Sequence, residues 1–157
     1  SGGRAIWLID GVATNGEVGK PNDLGLTDQL FTYGVRIQPI MLLDIQCATV
    51  PINTALEGQD PNFAPMPWYY SPLLMPMPNH AITRNIAPVK AEFASFIEKV
   101  GENDSVNATV LLCTSSKTAL EKAPMPLRAD IVNLSPESPY FAYSYMPYMT
   151  YIYVFIT

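Results

Sequence analysis

The side chains able to do chemistry in this 157-residue chain are few and widely spaced. There is one histidine, His80, and there are two cysteines, Cys47 and Cys113. Cys113 ends an apolar run, "VLLCTSS". A catalytic cysteine needs thiolate character and a base within reach. His80 is the sole histidine candidate for that base, and no neighbouring motif orients it. A cysteine-dependent hydrolase or amidotransferase-like enzyme is therefore an alternative reading. The ordinary reading is a small hydrophobe in a core strand.

Three further groups of residues could bind. His80, Arg84 and Asn85 lie in "NHAITRN", where Arg84 could clamp an anion or a partner's carboxylate. The plainer expectation is that Asn79 or Thr83 satisfies turn amides while Arg84 pairs with a nearby acid. Trp68, Tyr69 and Tyr70 could stack on a sugar or peptide, as in a carbohydrate-binding module. Such rings more often cover the edge of a core. Asp10, in "LIDG", would stand at a strand end where open α/β sheets bind ligands, or would cap the following turn.

Several motifs are absent. No G-x-x-x-x-G-K-[ST] occurs, so the chain lacks the usual phosphate cradle of a transporter ATPase. No G-x-G-x-x-G follows the first apolar run, and no G-x-S-x-G is present. One histidine cannot build a multi-histidine metal site, although carboxylate sites stay open. No catalytic set, metal or cofactor is expected.

The net charge of −5 argues against nucleic-acid binding through phosphates and against a polybasic membrane patch. Nearly half of the residues are apolar and 15% are charged, which favours one folded domain over disorder. The cysteines are too few for a disulfide framework, so buried thiols are expected. The N-terminus has no signal-peptide pattern, and no window is apolar enough for a membrane span.

The elements that must position these residues read as alternating short strands and helices. "RAIWLID" suits a strand buried on both faces. "LTDQLFTYG" reads as a short helix closed by Gly34. "VRI" and "IQCATVPI" read as strands with "QPIMLLD" turning between them. Prolines 61, 65, 67, 72, 76 and 78 exclude a long helix or a central strand, so "PWYYSPLL" is expected as an edge strand or an extended connection. "VKAEFASFIEKV" fits either a helix or a strand. "NATVLLCTSS" and "RADIVNL" read as strands. The tail "YIYVFIT" reads as a strand that must pair within the sheet or across a homodimer.

The strings "GGRAIWLIDG", "LTDQLFTYGVRI", "PWYYSPLL", "H-x-ITRN" and "VLLCTSS" together resemble the GldG-like family, gliding-motility-associated auxiliary components of ABC-type transport systems in Bacteroidetes. The resemblance covers residues 2 to 116. It departs from the family pattern at Ala81, where proline is usual, and leaves residues 117–157 as an unassigned β-rich tail. The resemblance implies an open, mostly parallel α/β sheet of Rossmann-like or glutamine-amidotransferase-like type, forming a single domain or part of a larger one over 1–157. It favours a strand for "VKAEFASF". It also implies a non-catalytic domain on the periplasmic side of the inner membrane, held there by helices outside this chain. Its partners would be permease and ATPase subunits.

Overall fold

A computed structural model of the chain describes residues 7–100, 108–141 and 151–155. In chain order the first elements are β1 (Val12–Thr14), β2 (Val18–Pro21), α1 (Thr27–Thr32), β3 (Val35–Asp44), β4 (Cys47–Asn53) and β5 (Phe63–Pro76). There follow β6 (Val89–Lys90), β7 (Ser95–Lys99), β8 (Ala108–Cys113), β9 (Thr118–Lys122) and β10 (Met125–Pro126). Two 3-10 turns, Ala129–Asn133 and Pro139–Phe141, precede β11 (Tyr151–Phe155).

The strands form three sheets, ordered β1-β2-β10, β7-β3-β9 and β11-β8-β5-β4, with β6 also on β5. Every pairing among the described residues is antiparallel. The expected open, mostly parallel α/β sheet is thus overturned, and the chain is mostly β. Parallel neighbours need crossover connections, usually helical. The described residues offer one α-helix of six residues, too little to cover even one face of such a sheet.

Individual elements explain the difference. "RAIWLID" was expected to be a doubly buried strand, yet residues 7–10 are irregular, with Leu8 94% exposed; residues 4–6 lie outside the described residues. "QPIMLLD" does not turn but extends β3 to ten residues. Its Pro39 falls between Ile37 and Met41, where the β7 register shifts, just before pairing with β9 begins at Ile40. "RADIVNL" is a 3-10 turn that buries the adjacent Ile131 and Val132, and is not a strand.

β5 runs fourteen residues through its prolines and lies between β4 and β8. The ladder phase explains how. The Thr54 amide donates to Asn62 O at 2.7 Å, making that a hydrogen-bonded pair. Counting along the register, Pro51↔Pro65 and Thr49↔Pro67 are then non-hydrogen-bonded pairs. Their nitrogens face away from the partner strand, so no ladder bond is lost. On the opposite side β5 pairs only at 73–76, with β6 and β8. Its first half is therefore an edge on that side, as the prolines require.

"VKAEFASFIEKV" is extended, split into β6 and β7 around Phe93, whose φ is 53°. There the chain leaves β5 for β3, with the Phe93 amide still bonded to Tyr70 O at 2.8 Å. β11 pairs with β8 within the same chain, Tyr151 opposite Cys113. The core gathers Val12, Met41, Leu43, Tyr69, Tyr70, Ile131 and Phe141 from all three sheets and the turns.

Candidate functional site

A cleft of about 310 Å³ lies beside α1, and sequence order explains its walls. Leu30 is the buried anchor of α1, and Gly34, at φ +74°, ends the helix in the left-handed region. The chain then enters β3, which brings Arg36, Ile37 and Pro39 to the floor. The loop after β2 supplies Asn22, Asp23 and Leu24. Gly11 closes the end. A methyl there would stand 2.7 Å from Ile37 Cγ2 and 2.9 Å from Gln38 O, so only glycine permits this approach to β3.

The polar groups around this cleft are mostly engaged in holding it. Asn22 Nδ2 donates to Asp10 O at 2.9 Å, and the Gly25 amide donates to Asp23 Oδ1 at 3.0 Å. Arg36 Nη1 lies 3.5 Å from Glu98 Oε1, and its guanidinium sits 5.7 Å from the Phe31 ring centre. Gln38 Nε2 also donates to Glu98, at 2.7 Å. The cleft is an amphipathic groove with the Arg36 cation among its lining residues.

The residues singled out in the sequence do not converge. Asp10 is exposed beside the cleft, and its backbone carbonyl, through Asn22, is what it contributes. Tyr69 and Tyr70 are 0% exposed. Tyr69 Oη donates to Leu134 O at 2.7 Å, and Tyr70 Oη accepts from the Arg128 amide at 3.4 Å. Burial pushes both phenols up. Trp68 is half-buried and meets Tyr70 edge-on at 65°. These three rings are core and core edge, and they form no flat exposed platform.

His80 and Arg84 belong to a compact turn. His80 O accepts the amides of Thr83 at 3.1 Å and Arg84 at 2.9 Å, and His80 Nδ1 accepts the Ile82 amide at 3.2 Å. Thr83 is buried, and its hydroxyl donates to Met77 O at 2.6 Å. The expectation had Asn79 or Thr83 meeting turn amides; Thr83 instead closes the turn on a carbonyl, and His80 Nδ1 meets the Ile82 amide. Arg84 differs from expectation: it is exposed and has no ion pair among the described residues. Asn85 beside it is exposed too.

Cys47 and Cys113 are free and half-buried. Burial first, and then the charge of Asp44, pushes the Cys113 thiol up. Cys47 is raised by burial and, to a smaller degree, by Asp44, against a hydrogen bond from the Trp68 backbone. The Cys113 Sγ–H points to Met75 O at 3.7 Å and Met77 Sδ at 4.0 Å, and His80 uses its Nδ1 elsewhere. An activated nucleophile needs the opposite of each condition.

Sequence reasoning missed Asp44. It is fully buried at the end of β3 and accepts four hydrogen bonds, from the Gln46 and Ser115 amides and the Ser115 and Thr118 hydroxyls, at 2.6–2.7 Å. The available signal was "TSSKT" directly after a strand, a run of donors that needed an acceptor. Among the described residues no three His, Cys, Asp or Glu side chains are placed to hold a metal ion.

The family model described as ABC-type uncharacterized transport system matches residues 1–144. The chain belongs to that family. The match runs through the cleft, the His80 turn and the Asp44 node alike. No curated protein and no solved structure matches the chain. Membership makes this an auxiliary domain of an ABC-type transport system. Within this family member, the cleft wall from Asp23 to Ile37 is the same segment as the most specific resemblance motif, "LTDQLFTYGVRI", with its preceding loop.

Proposed function

We propose that this chain is a non-catalytic, protein-contacting domain of an ABC-type transport system of the gliding-motility-associated kind. It stands on the periplasmic side of the inner membrane, and helices outside this chain anchor it there. It contacts the permease directly and reaches the ATPase through it. The observation that carries this reading is the family match across residues 1–144. Two features of the surface support contact over chemistry. In the cleft, Asn22 and Asp23 are engaged with the backbone and Arg36 with Glu98, and the basic group of the conspicuous turn, Arg84, faces solvent. No helix among the described residues is long and apolar enough to cross a membrane.

The test is a pull-down of the full-length protein from its native membranes after mild crosslinking. Recovery of a permease and an ATPase subunit supports the reading, and recovery of neither overturns it. Labelling of a single exposed cysteine placed at Asn85 by a membrane-impermeant maleimide in intact spheroplasts tests the side of the membrane. Labelling only after lysis would contradict the periplasmic assignment.

A further inference from the structure

Three sulfur-bearing side chains stand on one face at the junction of β5 and β8, outside the cleft and next to the turn that Thr83 ties to Met77 O. Met75 stands opposite Cys113 in the ladder, and the Met77 amide bonds to Leu111 O at 2.8 Å, continuing the same register. Residues two apart on a strand, and residues directly opposite, share a face of the sheet. Met75, Met77 and Cys113 therefore project on one side. Cys113 Sγ lies 4.0 Å from Met77 Sδ. Both methionines are accessible, at 37% and 39% exposure, unusual for side chains that commonly fill cores.

The spacing has a chemical meaning. Two sulfurs bound to one metal at about 2.3 Å, 120° apart, would stand about 4 Å from each other. The pair in this protein is at that separation before any ion arrives. Met75 Sδ accepts Gln46 Nε2–H at 3.0 Å, a weak bond that it must give up to join an ion held by Cys113 and Met77. One thiol with two thioethers is a soft donor set, which selects a soft monovalent ion over magnesium, calcium or manganese.

We propose that Cys113, Met77 and Met75 form a surface site for a single Cu(I) ion. On binding, the Cys113 S–H bond breaks, a sulfur–copper bond forms, and one proton leaves to solvent; no electron is transferred. Cys47 is outside the set, being paired across β4 with Pro72. The site is independent of the transport reading above and stands or falls separately.

The experiment is an anaerobic titration of the chain with Cu(I) in competition with a chromophoric Cu(I) chelator. X-ray absorption of the loaded protein should show sulfur neighbours at about 2.3 Å. One ion per chain is expected, with at least about tenfold weaker binding in Cys113→Ser and in Met77→Leu, and unchanged binding in Cys47→Ser. Leucine nearly conserves the volume of methionine, so Met77→Leu and Met75→Leu keep the test decisive if Cys113→Ser fails to fold. Loss in Cys113→Ser with full binding in both leucine variants would reveal a thiol acting alone and overturn the proposal. So would equal loss in Cys47→Ser, or no competition with the chelator at all.

Discussion

Asp44 and Arg84 are both charged, and the fold treats them in opposite ways. The Asp44 carboxylate is buried at the end of β3 with four donors aimed at it, so its lone pairs are consumed by the protein itself. Arg84 projects from a turn closed by hydrogen bonds to His80 O, yet its guanidinium has no ion pair among the described residues. A buried charge survives only where hydrogen bonds replace its water. An exposed charge costs nothing to leave unpaired and remains free to meet another molecule. One is a structural node and the other a contact point, and substitution should separate them.

The largest effect belongs to Asp44. Asp44→Ala strands two amides and two hydroxyls in the interior and should cost about 3–5 kcal/mol, read as a fall in the urea midpoint. Asp44→Asn keeps one acceptor oxygen and should lose about half as much. A loss below about 1 kcal/mol in the alanine variant would mean that water replaces the carboxylate, and the contrast with Arg84 would collapse.

Thr83 comes next and divides the second region internally. It is buried one residue before Arg84, and its hydroxyl closes the turn on Met77 O. Thr83→Val preserves shape but strands that carbonyl, so about 1–2 kcal/mol should be lost. Because the turn positions Arg84, pull-down yield should fall with it.

These two residues also show how far sequence reading reaches. Thr83 and Arg84 lie within one short polar string between prolines, so a turn was legible locally, although the Ile82 amide is met by His80 and Thr83 bonds a carbonyl. Asp44 was not, because its partners Ser115 and Thr118 lie 71 and 74 residues further along the chain. The same division holds for the fold. The helix ending at Gly34 and the strands at 47–53 and 108–113 follow from local pattern and capping. The antiparallel arrangement does not, since short apolar runs such as "MLLD" fit parallel or antiparallel partners equally. The Ile131–Val132 pair looked like strand for the same reason, as β-branched residues side by side give no period. The prolines of β5 pointed to an edge strand or a surface connection, whereas β5 lies between β4 and β8 with residues 69–72 buried. That the prolines occupy alternate positions, which lets β4 pair, becomes clear only with the register.

The thiols give a third, kinetic measure of the contrast. Asp44 and burial both hold the Cys113 proton on, so little thiolate exists at neutral pH. Because the raised direction means less of the reactive form at any given pH, alkylation of the native chain by iodoacetamide at pH 8 should run several-fold slower than for free cysteine. Unfolding in urea should restore the ordinary rate. Alkylation faster than free cysteine would revive the activated-nucleophile reading.

The smallest effect on stability, and the most telling one on function, is expected at Arg84. An exposed side chain with no ion pair among the described residues should change folding by no more than about 0.5 kcal/mol when cut to alanine. Arg84→Ala should therefore unfold at the same urea concentration as the parent chain. If the guanidinium meets a carboxylate on the permease, the same variant should lower pull-down recovery, and Arg84→Glu should lower it further by placing like charges together. Arg84→Lys should restore part of it, because lysine keeps the charge but cannot form the two-pronged contact. A charge-reversed variant that is stable and still recovers the transporter would remove Arg84 from the contact surface. The cleft beside α1, walled by Asp23 to Ile37, would then be the place to look.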